Sequence, residues 1–446
     1  MKTAIALIDG EHYLPVTKAA LEKIAQDYDL KAAVFIGGTE KIADESELAG
    51  LGVEIVKESS SAEAMEDKEQ AVESLIKALE IFKPELVIDL SDEPVLDYTK
   101  RFTLASIALK HGVSYRGADF LFNPPRLENI LNKPSIAIIG TGKRVGKTAV
   151  SAYISRLLKK DFNPVVLAMG RGGPTEPEIL EGDKLDLTPQ YLLEQSRQGK
   201  HAASDYYEDA LMSRVRTIGC RRAGGGLAGQ PFISNVLEGA KKANGLDNDL
   251  VILEGSGSAI PPVKADKNIL VIGAYQNLQD IGGYFGPYRL MIADLIVITM
   301  CEEPQASPGK IQQLLEVINN VNPAVPVVLT VFRPAPLQKI AGRKVLVATT
   351  AKDGLEKIKS HLEQQHGAQV VAITNQLSNR PLLLEAIKAA GDFDVLLTEL
   401  KAAAVDVATS TALDLGKEVV YMDNNPVSAF ENDLDSAVLK LVQNLV

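Results

Sequence analysis

Short apolar runs alternate along this chain with longer stretches in which apolar residues recur every three or four positions. Apolar runs bounded by turn residues are typical of buried strands, and the wider spacing is typical of amphipathic helices. Because strands that alternate with helices form a mostly parallel sheet covered on both faces, the pattern predicts an α/β fold. In the first quarter the predicted strands are residues 3–8, 31–37, 53–56 and 85–90, and a predicted helix covers residues 61–82.

A proline-rich segment, residues 116–135, interrupts this pattern. Such segments commonly separate domains. The apolar runs resume at Ser135, so we expect one domain over residues 1–125, a second over 134–335, and a C-terminal α/β extension or subdomain over 336–446. The later predicted strands are residues 135–140, 164–170, 249–255, 268–274, 295–300, 325–332, 344–350, 369–374, 394–399 and 418–423.

The composition argues against two classes of partner. The formal net charge is −11, whereas a general nucleic-acid binder needs a surplus of Lys and Arg to neutralise phosphates. No apolar run is long enough to span a bilayer and no secretory leader pattern opens the sequence, so we expect a cytoplasmic protein with no membrane partner. Cys220 and Cys301 are far apart in the sequence and predict neither a disulfide nor a zinc site.

A glycine-rich turn lies between an apolar run and a helical pattern in IAIIGTGKRVGKTAVSAYISRLLKK, residues 136–160. Backbone N–H groups of such a turn, together with the N-terminus of the following helix, bind phosphate. Lys147 is expected to reach the β- and γ-phosphates of a nucleotide, and Thr148 to bind Mg²⁺. We therefore predict a P-loop NTPase domain with a mostly parallel sheet, preceded by a Rossmann-like α/β domain. The expected nucleotide-binding residues are Gly140, Thr141, Gly142, Lys143, Arg144, Val145, Gly146, Lys147, Thr148 and Ala149.

A carboxylate stands at the end of a later predicted strand, in DLVILEGSG. At that position Glu254 can coordinate Mg²⁺ directly or through water. A second metal-binding carboxylate could come from the residues before this strand, and the sequence does not decide among five candidates. The candidates are Glu176, Glu178, Asp205, Glu208 and Asp209.

An acid-free stretch from Ala210 to Leu237 carries four arginines beside a glycine-rich segment, although the chain is net acidic. Because a guanidinium group binds phosphate oxygens in pairs, this stretch indicates an anion site. The alternative is a solvated loop paired with nearby acids. The turn MGRGGPTEPEIL adds an arginine and two glycines at the edge where α/β sheets bind ligands. The expected substrate-binding residues are Arg171, Gly172, Gly173, Arg214, Arg216, Arg221 and Arg222.

The loop has the form G-T-x-x-x-V-G-K-T, which resembles the loop of dethiobiotin synthetase and its relatives among the P-loop proteins. A more specific resemblance comes from several segments taken together. They are ALIDGEHYLPV, the glycine-rich loop, VVLAMGRGGPTEPE, RTIGCRRAGGGLAG and VILEGSGSAIPPVKAD. In this combination the chain resembles the cyclic 2,3-diphosphoglycerate synthetases, an archaeal cytosolic family, from Ile5 to the C-terminal YMDNNP.

This resemblance implies ATP-dependent closure of 2,3-diphosphoglycerate through an intramolecular phosphoanhydride bond, with release of ADP and phosphate. It also implies a need for Mg²⁺, stimulation by K⁺ and a homodimer. We expect Lys143, Lys147, Arg171 and Glu254 to be catalytic, and Thr148 and Glu254 to hold the metal. The nucleophile is a phosphate oxygen that is already anionic, so no strong general base is required. ATP is favoured over GTP because VVLTVFRPAP lacks the N-K-x-D pattern that reads guanine.

Polar residues also follow two strands of the N-terminal domain. These are Asp9, Glu11 and His12 after the first strand, and Asp89, Asp92 and Glu93 after the fourth. They lie at the usual ligand edge of an α/β sheet. Because acids repel a free polyanion, they suggest a metal site, a lid or strand caps, and we favour caps.

Two other classes of protein share the loop. A ligase similar to dethiobiotin synthetase or cobyrinate amidase would activate a carboxylate or carbamate and would have less need of the arginines. A nucleotide-driven switch or metal-cluster carrier would use hydrolysis to change partners, and a carrier should present paired surface cysteines.

Overall fold

The computed structural model describes residues 1–38, 40–41, 45–57, 67–430, 432–443 and 445. It divides into two compact units. The first consists of Met1–Pro125 and Leu278–Ile292, and the second of Arg126–Asn277 and Ala293–Val446.

The strands and helices alternate along most of the chain. The strands are β1 (Thr3–Ile8), β2 (Asp29–Phe35), β3 (Glu54–Val56), β4 (Leu86–Asp89), β5 (Ser114–Arg116), β6 (Leu121–Phe122), β7 (Ser135–Gly140), β8 (Pro164–Gly170), β9 (Glu178–Glu181), β10 (Arg216–Ala223), β11 (Ile233–Ser234), β12 (Leu250–Glu254), β13 (Lys267–Gly273), β14 (Leu295–Thr299), β15 (Val327–Pro336), β16 (Lys344–Ala348), β17 (Gln369–Thr374), β18 (Val395–Glu399) and β19 (Glu418–Ser428). The α-helices are α1 (Leu14–Asp27), α2 (Asp67–Phe82), α3 (Tyr98–Lys110), α4 (Lys147–Leu158), α5 (Pro189–Arg197), α6 (Asp205–Ser213), α7 (Val236–Asn244), α8 (Leu278–Gly282), α9 (Gly286–Met291), α10 (Pro308–Val321), α11 (Leu355–His366), α12 (Arg380–Ala389), α13 (Ser410–Asp414) and α14 (Leu434–Gln443). A 3₁₀ helix covers Glu45–Leu51 and a π-helix covers Ala404–Thr409.

The first unit is a Rossmann-like sheet. Its strand order in the described residues is β3-β2-β1-β4-β5-β6, with only the short β6 antiparallel to its neighbour. The order reverses between β1 and β4, which is the position where doubly wound sheets open a crevice. The predicted helix over residues 61–82 is described from Asp67 onward as α2, and residues 61–66 lie outside the described residues.

The sequence pattern did not predict that residues 278–292 belong to the first unit. This segment lies between β13 and β14 in the chain and carries α8 and α9. Aromatic packing holds it there, because the ring of Phe285 lies 5.2 Å from that of Phe102 and 5.0 Å from that of Phe122, both nearly perpendicular to it. Edge-to-face pairs of this kind stabilise beyond their buried area.

The second unit is built on one large sheet. In the described residues its order is β11-β10-β8-β12-β7-β13-β14-β15-β19-β18-β16-β17, with β9 added beside β10. Seven strands that are neighbours in this sheet run parallel, in the order β10, β8, β12, β7, β13, β14 and β15. The central strands β7, β8 and β12 are buried along their whole length, which explains why they appear in the sequence as continuous apolar runs.

Two long strands join the C-terminal part to the same sheet. The first residues of β15 pair parallel with β14, and the rest, from Thr330 to Pro336, pair antiparallel with β19. The first half of β19 pairs in turn with β18. The predicted boundary between residues 335 and 336 therefore falls within β15, inside a continuous sheet. The division of the second unit into two domains there stays a prediction.

The apolar runs located most strands correctly. The predicted strands 3–8, 135–140, 164–170 and 369–374 have the observed bounds, and the others differ by a few residues. The sequence reasoning missed β10, because five polar or glycine positions among its eight residues hide the strand pattern. In the described residues no helix has the length and hydropathy needed to cross a membrane.

Candidate active site

The glycine-rich loop connects the central strand β7 to helix α4. Two of its residues have a left-handed backbone, Arg144 with φ 66° and Gly146 with φ 88°. An alanine Cβ at Gly140 would lie 2.7 Å from Cδ of Lys147, so glycine is required there for the lysine to fold back over the loop. Lys147 Nζ lies 3.5 Å from the carbonyl oxygen of Gly142, inside the loop's curve. The loop thus presents its backbone and one buried ammonium group to the same point, as phosphate binding requires.

Neighbouring strands hold the loop in shape. The side-chain oxygen of Gln276 accepts hydrogen bonds from Thr141 Oγ1 at 2.5 Å and from the Gly273 backbone N–H at 3.0 Å. The Tyr275 hydroxyl donates to the carbonyl of Lys143 at 3.2 Å. These contacts join the loop to the end of β13, and the sequence motif alone gave no sign of them.

Thr148 and Glu254 lie together at the start of α4 and the end of β12. The threonine hydroxyl donates to Glu254 Oε1 at 2.8 Å, and Glu254 is almost fully buried. The other oxygen of Glu254 and both carboxylate oxygens of Asp209 are buried without a hydrogen-bond donor in the described part of the chain. Buried carboxylate oxygens without donors are costly. A proton shared by Asp209 and Glu254 removes that cost, and so does a divalent cation held by Thr148 and Glu254, which these residues fit.

The ionisable groups at this point change one another's pKa values. Burial raises the pKa of Glu254, and the charge of Asp205 acts in the same direction. Burial, followed by repulsion from Glu254, raises the pKa of Asp209 well above its ordinary value. Burial lowers the pKa of Lys147, with Arg171 and Arg222 acting in the same direction and Glu254 opposing them. A cation would favour the ionised carboxylates here.

The five candidates for a second metal-binding carboxylate differ in their positions and partners. Asp205, the first residue of α6, lines a cavity in front of the loop, and its Oδ2 would lie 2.9 Å from a Cβ at Gly170. Asp209 is buried against Glu254, and Glu208 accepts from Lys401 at 2.7 Å. Glu178 is paired with Lys200, and Glu176 is exposed. No group of three or more His, Cys, Asp or Glu side chains has metal-binding spacing in the described residues. A magnesium site here would therefore be completed by phosphate oxygens and water, as is usual for Mg²⁺.

Two arginines converge beside the loop. A Cβ at Gly257 would lie 2.9 Å from Arg171 Nη2 and 3.4 Å from Arg222 Nη2. Arg222 donates to the carbonyl oxygens of Gly224 at 2.8 Å and Ser256 at 2.7 Å, while its buried Nε has no acceptor in the described residues. Burial, and then the charge of Arg171, lowers the pKa of Arg222. Two guanidinium groups held close together in this way make a strong site for an anion.

The structure does not bring the remaining arginines to the same place. Arg216 stands at the start of β10, where it is ion-paired with Glu181 at 2.9 Å and with Asp247. Arg222 stands six residues further along the same strand, about 20 Å away at the usual rise per residue. Arg214 caps the C-terminus of α6 and, like Arg216, lies at the amino end of β10, away from the phosphate loop. Of the acid-free stretch, only Arg221 and Arg222 lie at the carboxyl edge, and Arg221 donates to Thr175 Oγ1 at 3.3 Å.

A cavity of about 430 Å³ lies in front of the loop. The predicted residues Lys143, Arg171 and Gly172 line it, whereas Gly173 packs against β10, with its Cβ position 2.1 Å from the carbonyl oxygen of Cys220. The sequence reasoning did not find the other polar residues of its wall. These are Ser196, Lys200, His201, Ser204 and Ser256, with Arg380 and Asp406 from the C-terminal part. Ser196, Lys200, His201 and Ser204 lie close together in the sequence but form no recognisable motif, and Ser256, Arg380 and Asp406 come from elements far from them.

Asp9 and Asp89 accept hydrogen bonds from backbone N–H groups at the ends of two central strands of the first unit, Asp89 from Ser91 at 2.9 Å. Asp9 accepts from the backbone N–H groups of Glu11 at 3.0 Å and Asp92 at 2.6 Å, and bonds His12 Nδ1 at 2.8 Å. Asp89 accepts from Arg101 and Tyr115, each at 2.8 Å. The backbone contacts of Asp9 and Asp89 are of the kind that strand caps make.

A parallel sheet whose central strand leads through a glycine loop to a helix starting with Lys and Thr defines a P-loop nucleotide-binding protein. Family models agree with this class and narrow it. Residues 3–123, 135–331 and 336–425 match the N-terminal, P-loop and C-terminal domains of cyclic 2,3-diphosphoglycerate synthetase. The chain therefore belongs to the cyclic 2,3-diphosphoglycerate synthetase family.

Individual relatives support this family membership over the whole length of the chain. The cyclic 2,3-diphosphoglycerate synthetase of Methanothermobacter thermautotrophicus is 50% identical over 458 residues, covering 100% of this chain and 97% of the relative. That of Rubrobacter xylanophilus, a bacterium, is 48% identical over 441 residues, covering 98% and 96%. The family is thus not confined to archaea, so the expected archaeal origin does not follow from the resemblance. Among solved structures, the hydrogenase maturation factor HypB of Archaeoglobus fulgidus covers 45% of this chain and 81% of its own, at 14% identity and a TM-score of 0.29, which is too low to support any inference.

Proposed function

We propose that the second unit binds ATP on the loop between β7 and α4 and uses it to close 2,3-diphosphoglycerate into its cyclic phosphoanhydride. The observation that carries this proposal is the convergence of Arg171 and Arg222 at Gly257, next to Lys147 and the cavity. Two phosphate esters must approach each other for the ring to close. Unit like charges about 4 Å apart repel by ~4 kcal/mol at an effective dielectric constant near 20, and the paired guanidinium groups offset that repulsion.

The reaction would proceed in two displacements. In the first, an oxygen of one substrate phosphate attacks the γ-phosphorus of ATP, so a new P–O–P bond forms and ADP leaves. In the second, an oxygen of the other substrate phosphate attacks the inner phosphorus of this pyrophosphoryl group, and inorganic phosphate leaves as the ring closes. Lys143 and Lys147 would hold the transferring group, and Arg171 and Arg222 the two substrate phosphates. Positioning and charge neutralisation supply the catalysis.

Thr148 and Glu254 would hold Mg²⁺, with Asp205 as the second carboxylate because it lines the cavity. The bound ion would neutralise charge on the nucleotide phosphates. Gly172 and the loop backbone would give the phosphates close access to N–H groups. Arg214 and Arg216 are omitted from the proposed substrate site because they lie at the far end of β10.

The family resemblance leads to further proposals, namely stimulation by K⁺, a homodimer and a cytoplasmic location. Of the other classes considered, the metal-cluster carrier needs exposed cysteines, and Cys220 and Cys301 are both buried. The carboxylate-activating ligase leaves the Arg171–Arg222 pair without a role.

The direct test is to incubate the purified protein with ATP, Mg²⁺ and 2,3-diphosphoglycerate and to follow the products by phosphorus NMR. A cyclic anhydride signal should grow in step with ADP and inorganic phosphate. An Arg222→Met variant should form it far more slowly. Equal ADP formation with and without the substrate, and no anhydride signal, would exclude this function and favour a nucleotide switch.

A further inference from the structure

Part of the cavity wall comes from the C-terminal part of the chain. Arg380 is the first residue of α12, and Asp406 lies in the π-helix Ala404–Thr409. Both line the cavity, as do Lys143 of the loop and Arg171 directly after β8. Arg380 Nη1 lies 2.6 Å from Asp406 Oδ2. A charged pair is thus placed at the edge of the site by elements that carry none of the nucleotide-binding motifs.

We propose that Arg380, oriented by Asp406, binds the carboxylate of the substrate and so makes the enzyme specific for a bisphosphate that carries an acid group. This inference rests on the proposed function and deepens it. The substrate has three anionic groups, two of which must meet beside the nucleotide at Lys143, Arg171 and Arg222. The third group, the carboxylate, then meets another part of the cavity wall, and Arg380 belongs to that wall.

The chemistry of the pair suits a carboxylate. A guanidinium group has five N–H donors in a planar fork, and Asp406 takes one of them through Nη1, which leaves donors for a second anion. The pairing also reduces the positive charge at this end of the cavity, so a singly charged carboxylate matches it better than a doubly charged phosphate. Lys200, another cation of the wall, is instead paired with Glu178, which does not line the cavity.

The local backbone supports a built position. The π-helix widens the turn at Asp406, and Thr409 Oγ1 bonds the carbonyl of Ala404 at 2.7 Å, which satisfies an acceptor left by the wider turn. Short π-helical turns are frequently found at functional sites. Asp406 Oδ1 is buried without a donor in the described residues, so its charge is directed to Arg380 through the other oxygen.

Two ion pairs fix this wall to the nucleotide-binding elements. Lys401, just before the π-helix, donates to Glu208 of α6 at 2.7 Å. Arg156 of α4 lies 2.9 Å from Asp423 of β19 and also donates to Asn425 at 2.7 Å. Both connections join the C-terminal part to helices that begin at the phosphate loop or at the cavity. Arg380 is therefore held at a defined place relative to the loop, which is what selective recognition requires.

The test compares two substrates, 2,3-diphosphoglycerate and propane-1,2-diol bisphosphate, which keeps the vicinal phosphates and has a methyl group in place of the carboxylate. Cyclic anhydride formation gives kcat/KM for each. Loss of a charge-assisted hydrogen bond to a substrate costs about 10- to 100-fold in affinity. Arg380→Met should lower kcat/KM for 2,3-diphosphoglycerate by about that factor, mainly through KM, and leave the value for the analogue nearly unchanged.

The matched control is Arg343→Met, which removes a guanidinium group from the same part of the chain. Arg343 is paired with Glu418 at 3.0 Å and does not line the cavity, so this variant should keep the wild-type preference. Asp406→Asn should weaken the preference less than Arg380→Met, since it removes the orienting partner and leaves the donor.

The outcomes separate the two proposals. If Arg380→Met lowers kcat/KM equally for both substrates, so that the wild-type preference is kept, the proposal that Arg380 recognises the carboxylate is wrong. The proposed ring closure would still stand. If the wild-type protein closes neither substrate, the proposed function fails and this inference fails with it. Unchanged turnover of the analogue by Arg380→Met also shows that the variant is folded.

Discussion

Replacing Gly146 with alanine would test whether the loop depends on a backbone that only glycine adopts without strain. Gly146 precedes α4 with φ 88°. An added Cβ would lie 2.4 Å from Cζ and 2.6 Å from Cε2 of the Phe332 ring. The substitution therefore combines two separate effects, a strained backbone and a clash with an aromatic side chain.

The size of each effect can be worked out from the geometry. A left-handed backbone costs a residue with a Cβ about 1–2 kcal/mol. Moving a packed ring to make room costs about 1–3 kcal/mol. We expect Gly146→Ala to lower the free energy of unfolding by about 2–5 kcal/mol, and to weaken ATP binding because the loop amides no longer converge.

The assay is denaturant unfolding of the wild type, Gly146→Ala, Phe332→Ala and the double variant. Removing the ring should recover the steric part only, so the double variant should be about 1–3 kcal/mol more stable than the sum of the single effects predicts. Gly309→Ala is the control, because that glycine lies in α10 with a negative φ and has nothing within 4 Å of its Cβ position. Additive effects, or a loss at Gly146 no larger than at Gly309, would refute the reasoning.

The two ends of β10 should differ in what their arginines contribute. Arg222→Met should lower kcat/KM about 10- to 1,000-fold. Arg216→Met loses partly buried ion pairs to Glu181 and Asp247, so it should cost about 1–3 kcal/mol of stability and leave steady-state kinetics unchanged. Equal losses of kcat/KM in the two variants would contradict the division of β10. Burial raises the pKa of Glu208 from 4.5 to about 7 in spite of Lys401, so its neutral form favours the folded state and this stability is lost as pH rises through 7. The loss between pH 4.5 and 7 amounts to about 3 kcal/mol, and Glu208→Gln should flatten that part of the stability curve; parallel curves for wild type and variant, measured by denaturant unfolding, would contradict the assignment.

The phosphate-binding loop could be predicted from the sequence because its requirements are local. Consecutive residues supply the strand β7, the glycine turn, the lysine and threonine, and the first turn of α4. The same holds for Glu254, which ends a continuous apolar run. The cavity wall could not be predicted, since Lys200 and His201 lie in a connection between α5 and α6 that carries no motif, and the position of Arg380 depends on how β15 and β19 join the C-terminal part to the sheet.

The arginine-rich stretch, residues 214–222, shows most clearly what the sequence decides and what the tertiary structure decides. The sequence by itself determined an α/β chain with a nucleotide-binding loop, because burial on both faces of a parallel sheet requires continuous apolar runs and phosphate requires glycine at close approach. It also determined that positive charge is concentrated between residues 214 and 222. Only the tertiary structure decided that this charge is divided between opposite ends of β10, with Arg216 neutralised at one end and Arg222 beside Arg171 at the other. An extended strand separates residues that are near in sequence, and the packing of strands brings together those that are far apart.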